Sequence, residues 1–404
     1  MNILLDFVTF KWQTGAGEYA RRVYQELIVK VHKELSNKVH LYGLYDSTLG
    51  IAYEDMQSEK LTGIQFVDIA VKPLSLVIRE CNIDVLFVAC AQYLGNYSDL
   101  SNVRCRTICI IHDLAYEEMF TNSITYYFKL LNPKYSLGKT RVDSIKYLMN
   151  TLKIVKWFIE TRRKRLDEKG LALLQPTIEL VRNNKNVQIV TVSKYTRSSL
   201  FFHYNIAPEH VRVLSSPERI YSYTTEEAEN LELKKIIAEK KRYYLMVSAN
   251  RNSKNPEKAV NAFKRYAEID ENAYFLVIGY PKKVFDRMIN LPYLSDNDLA
   301  LAFRYCYALV YPSFFEGFGY PPIEAMRYGK PVLTSNTTSI PEILEDAPIY
   351  FSPLYETEIF NALTKLRLEN YSVYSEKAKL QYAKVRRCQE NDLKELISLI
   401  LDEK

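Results

Sequence analysis

The sequence predicts an α/β protein with two parallel sheets, and three observations support this fold class. Short apolar runs rich in β-branched residues alternate with longer amphipathic stretches, as strands and helices do in a parallel sheet. The alternation restarts near residue 235, after a hinge-like Leu214-Ser215-Ser216-Pro217 segment and a polar stretch. The chain of 404 residues also exceeds the roughly 250 to 300 residues at which one hydrophobic core stops growing. We therefore expect two domains, each with its own core.

The predicted domain boundaries follow from this restart. We expect a first α/β domain over 1–220, with a basic helical insertion around 120–185, and a second over 235–385. Residues 386–404 are expected to form a C-terminal helix that can pack back on the first domain. Strands are predicted over 2–8, 39–42, 84–89, 107–111, 187–192, 243–248, 274–278, 308–311 and 331–334, and a helix near 256–268.

Composition excludes several classes of protein. Hydrophobic residues make up 48% and charged residues 25%, which is typical of a folded globular chain. The start at 1–6 resembles a strand more than a signal peptide, and an uncharged apolar run long enough to span a bilayer is not found. The six cysteines form no C-x-x-C pair, so we expect reduced thiols, a cytoplasmic location and neither a zinc site nor a disulfide framework.

A basic segment carries the whole net charge of +6. Residues 139–169 hold ten Lys or Arg against four acids, and the rest of the chain is neutral overall, so a nucleic-acid-binding surface is not expected. Within it, 144–165 has apolar residues at helical spacing and predicts a basic amphipathic helix. This helix could pack on the core with a solvated charged face, or it could dock on an anionic membrane surface as a peripheral anchor.

The stretch 311–332 is the most informative in the chain. It predicts a strand, a glycine-containing turn, a helix from Pro321 or Pro322 to Tyr328 that ends at Gly329, and a further strand. Glycines in the turn allow a ligand to approach the backbone, and its N–H groups meet at the positive end of the helix. The turn therefore predicts a site for a diphosphate and the sugar hydroxyls beside it.

Two carboxylates flank this predicted anion site. Glu316 precedes the turn, and Glu324 is expected in the first turn of the helix. Taken alone, a glutamate in a first turn usually just stabilises the helix dipole. Carboxylates also accept hydrogen bonds from hydroxyls, as sugar and ribose rings would require.

The stretch resembles the signature of the retaining glycosyltransferases of family 4. The resemblance rests on E-x7-E, the Gly-Phe-Gly-Tyr-Pro turn, Glu-Ala-Met, Gly-Lys-Pro-Val and Ser339-Ile340-Pro341-Glu342. It extends to stretches that look like the family's landmarks elsewhere: Ile111-His112-Asp113-Leu114, Val192-Ser193-Lys194-Tyr195, Tyr244-Leu245-Met246-Val247, Lys254-Asn255 and Ala262-Phe263.

The resemblance implies a GT-B architecture, in which two Rossmann-like domains face a central cleft. It also implies a metal-independent hexosyltransferase without a cofactor, which moves a sugar with retention from a UDP- or GDP-linked donor to a glycan or lipid-linked acceptor. General resemblance suggests cell-surface polysaccharide synthesis. The alternatives are a catalytically silent partner subunit that binds a nucleotide sugar, and a phosphorylase or epimerase on the same fold.

The family pattern also implies roles for second-domain residues. Glu316 would hold hydroxyls of the transferred sugar, Glu324 the ribose hydroxyls, and Lys254 the diphosphate. Arg251 could supply a second cation, in place of the arginine that the family often has next to the lysine. The backbone amides that would meet sugar and phosphate are those of Gly317, Phe318, Gly319 and Tyr320. The sequence departs from the pattern at Ser248 and Ser253, where the family often has glycine and arginine.

In the first domain, Gly15, Ala16 and Gly17 resemble the family's glycine loop and are expected to bind substrate. Read alone, the loop imitates the G-x-G-x-x-A dinucleotide fingerprint, but that fingerprint has its first glycine right at the strand end. Here several residues, including Lys11 and Trp12, intervene after the strand, so a nicotinamide or flavin site is not expected. His112 follows a predicted strand, at the end where parallel sheets bind ligands. With Glu316 and Lys254, it completes the predicted catalytic set.

Overall fold

The computed structural model describes residues 1–8, 10, 14–49, 61–97, 100–115, 117–118, 174–219 and 225–403. The predicted basic helix at 144–165 lies outside these residues, as do Lys11 and Trp12. The chain forms two compact units. The first unit comprises Met1–Val192, Thr196–Leu214 and Glu395–Lys404, and the second comprises Ser193–Tyr195 and Ser215–Lys394. None of the described helices is long and apolar enough to cross a membrane.

The first unit contains a parallel sheet that begins with the first strand of the chain. Its described strands are β1 Asn2–Asp6, β2 His40–Tyr45, β3 Ile64–Asp68, β4 Val85–Val88, β5 Arg106–Ile111, β6 Val187–Thr191 and β7 Val211–Val213. The described helices up to this point are α1 Gly15–Lys30, which continues as a π-helix over Val31–Leu35, α2 Leu74–Glu80, α3 Gln175–Asn183 and α4 Lys194–Tyr204. The strand order is β3-β2-β1-β4-β5-β6-β7, with every pair parallel.

The second unit repeats this architecture. Its strands are β8 Tyr243–Met246, β9 Tyr274–Ile278, β10 Met288–Leu291, β11 Ala308–Tyr311, β12 Val332–Ser335 and β13 Ile349–Phe351. Its described helices are α5 Leu231–Ala238, α6 Pro256–Ile269, α7 Asp296–Tyr305, α8 Tyr320–Arg327, α9 Ile340–Leu344, α10 Glu356–Lys365 and α11 Tyr371–Leu401, which runs on into the first unit's residues. The order is β10-β9-β8-β11-β12-β13, again all parallel.

All nine predicted strands are present, within a few residues of the predicted bounds. The four strands that the sequence did not predict are β3, β7, β10 and β13. These are the two edge strands of each sheet. An edge strand has a neighbour on one side only and is often short, so its hydrophobic pattern is weak.

Each sheet has a point at which the strand order reverses. In the first unit this switch point lies between β1 and β4, and in the second between β8 and β11. Open parallel sheets bind ligands beyond the carboxyl ends of the strands at such a point. Because both sheets are parallel and doubly wound, the predicted α/β fold class with two Rossmann-like domains is confirmed.

Candidate functional site

Lys254 and Glu316 meet at the switch point of the second unit. Lys254 lies in the loop that follows β8, and Glu316 lies in the loop that follows β11. Although they are 62 residues apart in the chain, the Lys254 ammonium pairs with Glu316 Oε1. Each side chain is only 12% exposed. The fold therefore places one cation and one carboxylate side by side where the sheet is expected to bind a ligand.

The two loops are tied together through their backbones. Phe314 N–H donates to the Ser253 carbonyl at 2.9 Å. The lysine loop also contains two non-glycine residues in the left-handed region, Ser248 at φ 58° and Asn255 at φ 54°. At Ser248 this geometry gives the physical reason why a glycine suits the position, because an L side chain is strained there. The Asn255 side chain anchors the loop with a 2.8 Å bond to the Pro353 carbonyl.

A run of hydroxyl side chains at the end of β12 holds the glutamate loop. Ser335 Oγ donates to the Ser313 carbonyl at 2.5 Å, and Ser339 Oγ to the Glu316 carbonyl at 2.9 Å. Glu316 N–H in turn donates to Thr338 Oγ1 at 3.1 Å. The sequence analysis missed these supports, although the density of hydroxyl residues at 334–339 is visible in the sequence.

The glycine turn and the helix after it form largely as predicted. Gly319 has φ 90° and precedes the helix, and Gly329, at φ 64°, lies just beyond its end. However, α8 begins at Tyr320 and not at Pro321 or Pro322, and it ends at Arg327. Because of this earlier start, the prediction that Glu324 lies in the first turn is wrong, and no acidic residue occupies that turn. Stabilisation of the helix dipole from the first turn therefore does not explain this glutamate.

Glu324 is buried, with 7% of its surface exposed. Arg219 Nη1 lies 3.6 Å from Glu324 Oε1, and Arg219 Nη2 donates to Asp296 at 2.7 Å. A small pocket opens beside this pair. Its lining comprises Glu218, Arg219, Tyr320, Ile323, Glu324, Arg327, Tyr382 and Gln389.

Tyr311 is a site residue that the sequence analysis missed. Its side chain is buried, with 1% exposed, at the last position of β11. Lys254 Nζ donates to its hydroxyl at 3.0 Å, and the hydroxyl donates to Glu316 Oε1. Burial raises the pKa of Tyr311 well above its usual value, Glu316 and Glu324 raise it further, and the nearby Arg251 charge opposes them. The only sequence signal for this residue is its place at a strand end beside the switch point.

The predicted residues of the first unit lie around the start of α1 and the end of β5. Gly15, Ala16 and Gly17 open α1, where Thr14 accepts a capping bond from Gly17 N–H at 3.3 Å. His112 follows β5, and its ring packs edge-on against Tyr19 with the centroids 4.9 Å apart. The glycine segment and the histidine therefore belong to one region of this unit.

His112 is neutral at physiological pH. The residue as a whole is partly exposed, but burial of its imidazole lowers its pKa to about 4, against the effect of the Ala89 hydrogen bond. Nε2 lies 2.8 Å from the Ala89 carbonyl, which can only accept, so Nε2 carries the proton. Nδ1 is then left as an acceptor. Among the described residues, no cluster of three His, Cys, Asp or Glu side chains could hold a metal ion.

A family model for glycosyl transferases group 1 matches residues 228–366. This range contains Lys254, Glu316, the glycine turn and α8. This part of the chain is therefore similar to the glycosyl transferases group 1 family. The predicted resemblance to GT-B glycosyltransferases is thereby confirmed, and family 4 is consistent with it.

Curated relatives of this chain include bacterial mannosyltransferases. The O-antigen chain mannosyltransferase RfbU of Salmonella typhimurium is 29% identical over 179 residues, which cover 41% of this chain and 46% of that protein. The serotype-specific mannosyltransferase WbdA of Escherichia coli is 27% identical over 41% of this chain and 22% of its own length. The chain thus spans less than half the length of these relatives.

Solved structures match nearly the whole chain. Sucrose-phosphate synthase from Thermosynechococcus elongatus has a TM-score of 0.66 at 12% identity, covering 99% of this chain and 98% of that one. WaaG, a glycosyltransferase involved in lipopolysaccharide biosynthesis, has a TM-score of 0.61 at 14% identity and covers 98% and 99%. Anabaena HepE, solved in complex with UDP-glucose, has a TM-score of 0.61 at 13% identity and covers 98% and 100%. At these identities the likeness shows the fold alone.

Proposed function

We propose that the chain is a retaining glycosyltransferase that transfers a hexose from a nucleotide-diphosphate sugar to a glycan or lipid-linked acceptor. The observation that carries this proposal is the pairing of Lys254 with Glu316 beside the glycine turn at 317–320. It combines a cation for a diphosphate, a carboxylate for sugar hydroxyls and a helix start for an anion, at the switch point of a parallel sheet.

The proposed chemistry requires stabilisation of the leaving nucleoside diphosphate. Negative charge develops on this group as the sugar becomes oxocarbenium-like, so preorganised cations and N–H groups lower the barrier. We assign this task to Lys254, Arg251 and the amides of 317–320. Glu316 positions the sugar, Glu324 binds the ribose, and neither metal nor cofactor is part of the proposed reaction. The leaving phosphate oxygen helps to deprotonate the acceptor on the same face of the sugar, which retains the anomeric configuration.

In the first unit we assign substrate binding to His112 and to Gly15, Ala16 and Gly17. Because His112 is neutral with the proton on Nε2, its Nδ1 can accept a hydrogen bond from a sugar hydroxyl. It is therefore proposed as a hydroxyl acceptor and not as a general acid at neutral pH.

Mannose is the first sugar to test, because the curated relatives named above are mannosyltransferases. These relatives also suggest O-antigen or related cell-surface polysaccharide synthesis. Such an enzyme would act on the cytoplasmic side, with peripheral contact to an anionic membrane through 144–165 as a further proposal. The fold alone does not determine which reaction is catalysed, since one structural neighbour is named as a UDP-N-acetylglucosamine 2-epimerase.

A ligand panel tests the proposal directly. We expect GDP-mannose or another member of a UDP-, GDP- and dTDP-sugar panel to raise the melting temperature, because a ligand that binds only the folded state stabilises it. The stabilising sugar nucleotide should then be consumed. Its nucleoside diphosphate should be released, and its sugar should be transferred to an acceptor.

The same assay separates the alternatives. Binding without turnover would favour a catalytically silent subunit, whereas phosphate-dependent cleavage or acceptor-free isomerisation would indicate a phosphorylase or an epimerase. If no nucleotide or nucleotide sugar in the panel binds, the proposal is wrong.

A further inference from the structure

The hydroxyl of Tyr311 contacts both charged groups of the site. Lys254 Nζ is 3.0 Å from this hydroxyl and 5.3 Å from the centre of the Tyr311 ring. The tyrosine backbone is fixed in the middle of the sheet, where its carbonyl accepts a 3.0 Å bond from Thr334 Oγ1. A fully buried ring on a central strand can hold its hydroxyl in one place.

The directions of the hydrogen bonds in this group are determined. An ammonium group can only donate and an ionised carboxylate can only accept, so the single hydroxyl proton of Tyr311 points to Glu316. Burial and the neighbouring Glu316 raise the pKa of Tyr311, so the phenol keeps this proton at physiological pH. Both Lys254 and Tyr311 engage the same carboxylate oxygen, Oε1.

The second carboxylate oxygen is therefore left for another partner. Within the described part of the chain, Glu316 Oε2 accepts no hydrogen bond, while its backbone N–H and carbonyl are both bonded to the hydroxyl run at 334–339. The loop is thus held at its backbone, and the carboxylate is oriented through Oε1 alone.

We propose that Tyr311 is a positioning residue that fixes Glu316 through Oε1 and leaves Oε2 to accept a hydroxyl of the donor sugar. This inference rests on the proposed function and deepens it, because it assigns the orientation of the sugar-binding carboxylate to Tyr311, which is not part of the motifs on which the family resemblance rests. When a diphosphate attracts the Lys254 ammonium, Tyr311 keeps one donor on Oε1, so the carboxylate does not turn away from the sugar.

The test is removal of one hydroxyl by Tyr311→Phe. Tyr243→Phe is the matched control, because Tyr243 is equally buried on neighbouring β8. Its hydroxyl donates to the Ala302 carbonyl at 2.8 Å and is not bonded to Lys254 or Glu316. Isothermal calorimetry would compare GDP with GDP-mannose and UDP with UDP-glucose, and steady-state kinetics would follow the sugar nucleotide that turns over.

For Tyr311→Phe we expect nucleoside diphosphate affinity within about twofold of wild type, and a KM for the sugar nucleotide raised by about 10- to 100-fold, as expected for a lost bond to a charged group. Tyr243→Phe should match wild type in nucleoside diphosphate affinity and in the KM for the sugar nucleotide. In a Glu316→Gln background, Tyr311→Phe should add little, since both changes act on the same contact.

The outcomes are distinguishable. Wild-type kinetics in Tyr311→Phe, equal losses for diphosphate and sugar nucleotide, or additive effects with Glu316→Gln would overturn the inference and leave the proposed function standing. If wild-type protein binds no nucleotide or nucleotide sugar in the whole UDP, GDP and dTDP panel, both fail. A melting temperature more than a few degrees below that of Tyr243→Phe would show that the hydroxyl is structural, which also overturns the positioning role.

Discussion

The carboxyl edges of the two sheets differ in their charges, although the sheets share one topology. In the first unit, Asp6 at the end of β1 is 1% exposed and burial raises its pKa to about 6, despite a 2.9 Å bond from Val8 N–H. His112, at the end of β5, has its pKa lowered to about 4 by burial. In the second unit, Lys254 and Glu316 lie as an ion pair at the equivalent edge.

This comparison shows how the same backbone scaffold produces different chemistry. A titratable group that is buried without a counter-charge shifts towards its neutral form, whereas a buried pair keeps both charges. His112 at the first edge is therefore suited to neutral hydrogen bonding with hydroxyls, and the second edge to an anion. The predictions below test this contrast.

The largest effect should follow from breaking the charged pair. We expect Lys254→Met to lower kcat/KM for sugar transfer by roughly 100- to 1,000-fold, because it removes a preorganised positive charge from the leaving group. It should also lower stability by several kcal/mol, since Glu316 is left buried and unpaired. Kinetics and urea denaturation measure the two effects.

A double variant separates the roles of the pair. Lys254→Met with Glu316→Gln should recover most of the stability that Lys254→Met loses, but none of the activity. The control is Lys377→Met, which removes an exposed pair with Asp346 and should change neither. Activity that returns with stability would remove Lys254 from the mechanism.

At the first edge, two residues should make the free energy of unfolding depend on pH in opposite directions, by about 3 kcal/mol each. The raised pKa of Asp6 means that folded protein binds more protons than unfolded protein between about pH 4 and pH 6, so this residue costs stability as pH rises through that window. The lowered pKa of His112 means that this residue adds stability as pH rises from about 4 to 6.5.

Single variants should expose each effect. The difference in stability between each variant and wild type should change with pH. For Asp6→Asn, the first unit should become more stable relative to wild type as pH rises from 4 to 6. For His112→Gln, it should become less stable relative to wild type as pH rises from 4 to 6.5. Hydrogen exchange of peptides covering β1 and β4 would report this unit separately from the second. Parallel pH profiles for wild type and both variants would contradict the burial argument.

The smallest effect concerns the backbone of the lysine loop. Ser248→Gly should stabilise the second unit by about 0.5 to 1 kcal/mol, because glycine relieves the positive φ of 58°. Asn205→Gly in the first unit is the matched control at φ 54°, where asparagine already tolerates the geometry, so its gain should be smaller. Equal gains in stability for the two variants would contradict the argument that serine is more strained than asparagine at a positive φ. Loss of activity in Ser248→Gly would show that the strained backbone at Ser248 has a role in function.

The sequence was sufficient for the elements whose local signal is strong. Central strands such as β8 and β11 read as apolar runs because both of their faces are buried. The edge strands were missed because they are short or half-exposed, as β7 and β3 show. The start of α8 was misplaced by one or two residues, since proline at the first turn allows several starting points.

The sequence by itself determined the fold class, the two-sheet organisation and the identity of the candidate glutamates and lysine, because periodicity and motif spacing are local properties. Only the tertiary structure decided that Lys254 bonds Glu316, that Tyr311 joins them, and that Glu324 instead has Arg219 beside it. These pairings depend on which strand ends adjoin at the switch point, and on how burial sets each charge. Neither property is encoded at any one position in the chain.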